Sequence, residues 1–432
     1  MLPRRFVVLC FALFPLAGCD CSDQYNANRW EFYEPFGPDA QLELDAGPIL
    51  ADDVVVIEDV GPDVPYVWDV PLIEEEIWVA PDVPREVPWE EGTWTPQVVD
   101  SNFSFNHALN DRTSLVVDED GTMWLGYHSC PDRACSAAQL TVGRRPVGGS
   151  WSFENIQRHE GIFGLEVIDA EQPIVVYPDP FDNVLKVAMR QGRNRWDIES
   201  LPVRGGGYDG FDVTRDRARF YVSFASRLSS TVEFFAYNTA DNNALWRRLP
   251  SLPNAHSAAF ERGLGADNAF NLYLVHRREE NGPYGLARYS LASNEWSEKK
   301  YFGDNSLVSS FVIRRNGELC MSSTTGNNLV VTCGDMSNLA RSRRVFSDQR
   351  VTYYSSMLEG KDGTLFVAYH GLDRNDLRVA RRTHTGQWTT EVALNSEAYG
   401  VSTAINHNDE IAISYYSCAS SICSVQVLEK TY

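Results

Sequence analysis

One register runs through most of this chain seven times, and it leaves little freedom in the fold. A small residue opens a strand-like apolar run at Ser114, Gly164, Gly210, Ser310, Ser356 and Ser402. Six and seven positions further on stand the turn formers Asp120-Gly121, Asn316-Gly317, Asp362-Gly363 and Asn408-Asp409, with Asp216-Arg217 and Ala170-Glu171 as weaker versions. Gly, Asn and Asp tolerate the positive φ that tight hairpins require. Thirteen positions on come Tyr127, Tyr177, Ser223, Ser323, Tyr369 and Tyr415. A seventh copy opening near residue 258 fits once an insertion at 263–268 is allowed, so successive starts lie 46 to 52 residues apart.

A second marker precedes the starts. Trp151, Trp196, Trp296 and Trp388 each stand thirteen or fourteen residues ahead of the next copy, Trp246 is one step off, and Ser342 takes the place once. Strand formers surround each tryptophan, and a third apolar run such as "LKVAMR" lies between start and tryptophan. Each unit therefore reads as four short strands, here A to D, with hardly any helical periodicity. Four-stranded units at this period predict an all-β chain folded as a seven-bladed β-propeller. A two-sheet sandwich would not hold one register over roughly 300 residues.

The last copy ends after its third strand, whereas "TWTPQVV" (Thr93 to Val99) stands ahead of the first copy with no unit of its own. An open ring would leave unpaired strand edges. Thr93 to Val99 is thus expected to serve as the outer strand of the seventh blade.

The cysteines obey the same register. Cys130 with Cys135, Cys418 with Cys423, and Cys320 with Cys333 flank B-to-C turns, the last pair being equidistant from Gly326-Asn327, a strong two-residue turn. Cross-strand disulfides are expected for all three, in preference to metal sites, which draw ligands from several converging loops. Such bridges belong to compartments outside the reducing cytosol.

The N-terminus agrees with that compartment. Arg4 and Arg5 precede an apolar run too short for an ordinary membrane span, and "LAGC" (Leu16 to Cys19) follows. This stretch resembles a bacterial lipoprotein signal with its lipobox. The resemblance implies a signal peptide over 1–18, cleavage before Cys19 and lipid on the Cys19 sulfur, with an envelope location in the outer or the inner membrane. Asp20 resembles the inner-membrane retention signal of enteric lipoproteins, a rule that varies between bacteria; the outer membrane is the preferred reading. Cys21 has no evident partner.

Residues 19–92 form a linker of another composition. From Asp20 to Gly92 there are twenty acidic residues against Arg29 and Arg85, and nine prolines, so most of the chain's net charge of −21 resides here. Proline and like-charge repulsion favour an extended, disordered stalk ahead of the propeller at 93–432. The apolar "VVVI" (Val54 to Ile57) and Trp30, Trp68 and Trp78 leave docking on the propeller or on a partner as the alternative. The acidic balance argues against a nucleic-acid partner, and no phosphate loop, dinucleotide motif or HExxH occurs.

In a propeller the D-to-A and B-to-C connections share one rim. His107, His128, His159, His256, His276 and His370 are assigned there, with Arg112, Tyr208, Asp209, Arg277, Tyr353, Arg374 and Tyr399. Polar and aromatic residues on loops of a rigid scaffold suit recognition of a protein or glycan ligand. Tyr127-His128 and Tyr369-His370 recur at one repeat position, which packing between blades would also produce.

"SLVVDEDGTMW" (Ser114 to Trp124) loosely resembles the Asp box of sialidase-type propellers. That resemblance implies a glycan-cleaving enzyme as the alternative function. The turn here joins strands A and B instead of C and D, seven blades replace the usual six, and no arginine triad can be assigned. Glu166 and Asp212, two residues past neighbouring strand starts, are then the catalytic candidates. No cofactor is expected, with calcium at Asp118 and Asp120 as the alternative.

Overall fold

The computed structural model describes residues 92–431 except 105–111, 131–137, 160, 169–171, 180–183, 202–207, 217–218, 227–230, 239–244, 256, 259–262, 268, 270, 278–282, 303–306, 336–342, 384 and 420–421. Cys10, Cys19, Cys21, the signal segment and the acidic linker lie outside the described residues.

Seven antiparallel sheets of four strands succeed one another along the chain. Blade 1 comprises Ser114–Val117, Met123–Ser129, Gln139–Arg145 and Ser152–Arg158. Blade 2 comprises Gly164–Val167, Pro173–Asp179, Val184–Gly192 and Arg195–Ser200. Blade 3 runs from Tyr208–Arg215 to Arg247–Pro253 and blade 5 from Leu307–Ile313 to Arg343–Gln349. Blade 6 comprises Val351–Glu359, Leu365–Gly371, Asp376–Arg382 and Trp388–Leu394. In blade 4 the inner strand is split into Ser257–Ala258 and Leu264–Ala266, both paired with Asn271–Arg277, which locates the insertion. Each inner strand packs against the next around the full circle of seven.

Blade 7 is assembled from both ends of the propeller. Tyr399–Ile405, Ile411–Ala419 and Ile422–Thr431 supply three strands, and Thr93–Ser104 pairs antiparallel with the last of them, Trp94 opposite Lys430. The expected closure is present and runs five residues beyond Val99.

Burial peaks on the second strand of a blade and falls towards the outer edge. Strand B of blade 1 is buried along almost its whole length, whereas strand D of blade 2 is largely exposed. The apolar cores lie between blades: Leu115, Leu125 and Tyr127 of blade 1 pack with Ala412, Tyr416 and Val425 of blade 7.

The repeated phrase now has a physical explanation. Position seven holds a positive φ in four units, at Gly121 (81°), Gly317 (80°), Gly363 (82°) and Asp409 (65°), where the A-to-B turn closes. In blade 1, Asp118 accepts from the Thr122 amide at 2.8 Å and from the Trp124 indole at 3.0 Å, so its carboxylate stitches the turn. The small residue at the strand start does a different job. An inner strand has one edge with no ladder partner. The Oγ of Ser310 accepts from the Met357 amide at 3.2 Å, that of Ser356 from the Thr403 amide at 3.1 Å, and that of Ser402 from the Leu115 amide at 3.1 Å. Each serine thus satisfies the exposed edge of the next blade. Ser402→Ala, which strips the acceptor from a buried amide, is expected to cost about 1–3 kcal/mol in denaturant unfolding. A loss under about 0.5 kcal/mol would show that the amide finds another partner.

Three of the tryptophans are clasps on the outside of the ring. Three residues past Trp94, Trp151 and Trp388 stand Gln97, Glu154 and Glu391, and each accepts from the tryptophan of the following blade: Trp151 at 3.3 Å, Trp196 at 3.1 Å and Trp94 at 2.7 Å respectively. A cation on strand C of that following blade completes each set: Arg145 on Gln97, Arg190 on Glu154 and Lys430 on Glu391. Where Ser342 replaces the tryptophan, the position lies outside the described residues.

Two of the expected disulfides join directly paired residues, Cys320 with Cys333 (Cα–Cα 4.2 Å) and Cys418 with Cys423 (4.0 Å). Thr325 pairs with Asn328, so Gly326-Asn327 is the two-residue turn read from the sequence. Cys130 is disulfide-bonded as well, and Cys135 lies outside the described residues. Glu318 stands close to the Cys320–Cys333 sulfurs, but these are bonded to each other and Glu318 salt-bridges Arg314 and Arg382.

Candidate recognition rim

Of the residues assigned to the rim, the described histidine side chains are interior. His128, His159, His276 and His370 are all at most 2% exposed. His128, His159 and His370 make ring contacts across blade joints, and two of them, His128 and His370, stand beside the recurring tyrosine. His128 and His159 form a buried pair between blades 1 and 2, with Nε2 of His128 2.9 Å from Nδ1 of His159 and rings stacked at 5.2 Å. The second nitrogen of His159 lies 3.0 Å from the Pro178 carbonyl, and the Tyr416 hydroxyl of blade 7 accepts from the His128 amide at 3.3 Å. Phe163 and Tyr177 set their ring edges against the pair. Burial holds the His370 imidazole below its ordinary pKa, with the Tyr399 ring 5.8 Å away.

The other assigned residues divide. Arg277 lies over the Tyr284 ring at 4.6 Å, Tyr399 donates to Glu397 at 2.8 Å, and Arg374 is exposed. For Tyr208, Asp209 and Tyr353 the backbone is described as strand, while their side chains lie outside the described set, as do His107 and His256 entirely.

The two carboxylates proposed for catalysis are placed differently from each other. Glu166 is partly exposed on strand A of blade 2. Asp212 is buried on strand A of blade 3, and its side chain accepts from the backbone amides of Val213 (2.8 Å), Leu264 (2.7 Å) and Gly263. It does for blade 4 what the serines do at other joints. Burial raises its pKa to about 7, against the lowering effects of these three amides and of the positive charge of Arg112. The structure therefore brings Arg112 of the assigned rim into the electrostatic reach of Asp212. Asp118 and Asp120, the calcium alternative, are respectively buried in the turn stitch and exposed.

The sequence reading missed an open groove of about 290 Å³ at the B-to-C end of blade 1, where the closing strand passes alongside. Asp100 and Tyr127 form its back: the tyrosine hydroxyl donates to the carboxylate at 3.0 Å. A register shift between Val98 and Asp100 marks a bulge, the usual device for re-aiming a side chain, and Asp100 also accepts from the Ser101 amide at 2.7 Å. The floor is a hydroxyl and amide relay: Ser129 and Thr141 lie 2.6 Å apart, and Thr141 donates to Asn155 at 2.9 Å. Phe153 forms a wall and is 43% exposed. Burial and the neighbouring Asp100 charge push the Tyr127 pKa far up, so the hydroxyl remains a donor. Counting ten back from each tryptophan would have exposed the groove, because that count lands on Thr141 in blade 1 and on Arg378 in blade 6.

No family model matches the chain, and no curated protein matches it. Among solved structures it is similar to a catalytically inactive virginiamycin B lyase from Staphylococcus aureus determined with quinupristin, at 12% identity and a TM-score of 0.50, over 78% of this chain and 99% of that one. A streptogramin B lyase matches at 12% identity and 0.47, over 80% and 100%. The NanB sialidase of Streptococcus pneumoniae matches at 8% and 0.45, over 77% and 70%. These likenesses are of fold alone.

Proposed function

We propose that the chain is a lipid-tethered recognition module whose propeller presents the rim at the B-to-C ends of its blades to a protein or glycan in the cell envelope. The observation that carries this reading is how the polar groups are allotted. Among the described residues, Asp212, the buried carboxylate nominated for catalysis, is spent on holding the backbone of the next blade. The groove at blade 1, by contrast, gathers hydroxyls, amides, a carboxylate and an exposed aromatic ring in an open site, which suits binding on a rigid scaffold. The lipobox "LAGC" supports attachment through Cys19, and the cross-strand disulfides support an oxidising compartment. The acidic segment 19–92 supplies the reach: fully extended at about 3.1 Å per residue it would span on the order of 220 Å.

The test pairs a glycan array and a peptide array with a panel of fluorogenic glycosides, using the full chain. Saturable binding without turnover is expected. Glycoside hydrolysis that disappears on Glu166→Gln or Asp212→Asn would replace this reading with the enzymatic one.

A further inference from the structure

We infer that the groove between the closing strand and blade 1 is a receptor for a guanidinium group, the side chain of an arginine presented by a partner polypeptide. The argument comes from comparing copies of the repeat. The core tyrosine of strand B faces a strand C residue across the ladder in four blades: Tyr177 faces Lys186, Tyr369 faces Arg378, Tyr415 faces Gln426 and Tyr127 faces Thr141. Blade 1 alone of these four has a short side chain at that place.

Blade 6 shows what the place is shaped for. The Tyr369 hydroxyl donates to Asp348 on strand D of the preceding blade at 2.7 Å, and the Arg378 guanidinium donates to the same oxygen at 3.0 Å. Asp100 occupies the matching strand position at the joint of blades 7 and 1, six residues past Trp94 as Asp348 is six past Ser342. Its carboxylate takes the Tyr127 hydroxyl in the same way. Among the described residues no lysine or arginine pairs with it. With threonine at position 141, the volume that Arg378 fills in blade 6 is left as the groove.

The remaining lining suits the same guest. A guanidinium is planar, offers a fork of donors that matches a carboxylate, and stacks on aromatic faces. Asp100 supplies the carboxylate, the exposed Phe153 a ring face, and the carbonyl oxygens of Asn155 and Gln139 further acceptors. A neutral polyol would use the amides and the ring but would leave Asp100 without a counter-charge.

This inference rests on the recognition reading and adds the chemistry of the partner. The experiment titrates the full chain with Nα-acetyl-L-arginine amide, its neutral citrulline isostere and the lysine analogue, by NMR or calorimetry. The arginine probe is expected to bind saturably with millimolar affinity, and the citrulline probe at least about tenfold more weakly. Asp100→Asn should weaken arginine binding by a similar factor. Thr141→Arg, which gives blade 1 the residue of blade 6, should abolish binding and raise the melting temperature; it also covers the case in which Asp100→Asn disturbs the closing strand. Equal binding of the citrulline probe, no saturation by arginine, or unchanged binding in Thr141→Arg would overturn the assignment. If arginine fails while the arrays still find a rim ligand, recognition stands and only this socket falls.

Discussion

Glu391→Ala is expected to destabilise the propeller by about 3 kcal/mol, the lower end of the range for removing one partner of a buried ion pair, because Glu391 is itself 24% exposed. The Lys430 side chain is wholly buried, and its Nζ lies 2.7 and 2.8 Å from the two Glu391 oxygens. Trp94, on the strand that closes the ring, donates to the same carboxylate at 2.7 Å and sets its ring 5.5 Å from that ammonium. Alanine at 391 removes from blade 6 the carboxylate that Lys430 and Trp94, paired across the two ends of the propeller in blade 7, share. The check is urea unfolding: the midpoint should fall while the m-value holds. Glu391→Gln retains an acceptor for the indole and should fall between. Replacing both members, Glu391→Leu with Lys430→Met, should recover most of the loss, because the large term is the orphaned charge and not the attraction itself. A single-mutant loss under about 1 kcal/mol would show that closure is carried by strand pairing alone.

How much of this could be read before any coordinates follows from what makes a signal periodic. Ser310, Ser356 and Ser402 repeat because each meets the same geometric need, an unpaired amide on the next inner strand, so the register was plain in the sequence. The same holds for Gly121, Gly317 and Gly363, where the turn demands a positive φ. Closure by Thr93 to Val99 was legible by counting, since the last unit lacked an outer strand. The described histidines of the rim set lie inside for a physical reason. A polar side chain at a strand end reads as a rim residue, yet His128 and His159 satisfy each other and a carbonyl inside the joint. The groove was illegible for the opposite reason. It exists through what is missing, a long side chain at Thr141, and a gap produces no motif until copies are aligned on the outer tryptophan. Asp212 fell between the two cases: Gly210 holds the place of the serine in its unit, and the carboxylate two residues on accepts from the next blade in its stead, where function and structure predict the same residue type.

Stability distinguishes those two readings of Asp212. A residue kept for chemistry is commonly a liability, and replacing it leaves stability unchanged or raises it. A strand clasp behaves in the reverse manner. Asp212→Asn puts an N–H where the buried carboxylate now accepts from Gly263 and Leu264, or, with the amide turned, from Val213. A loss of about 2–5 kcal/mol is expected, most of it the cost of buried donors facing each other. The pH dependence gives a second, independent reading. In the folded protein burial raises the Asp212 pKa to about 7 from an ordinary 3.8, so the native state holds this proton more tightly than the unfolded chain does. A raised pKa contributes stability that is complete below about pH 4 and is lost as pH climbs through 7. The stability difference between wild type and Asp212→Asn should therefore shrink between those values, by at most about 1.4 kcal/mol per pH unit. Chemical denaturation of both proteins from pH 4 to 8 measures it. A variant as stable as the wild type would remove the clasp and reopen Asp212 as a catalytic carboxylate, whereas a gap that widens with rising pH would show that the ionised carboxylate is the native form.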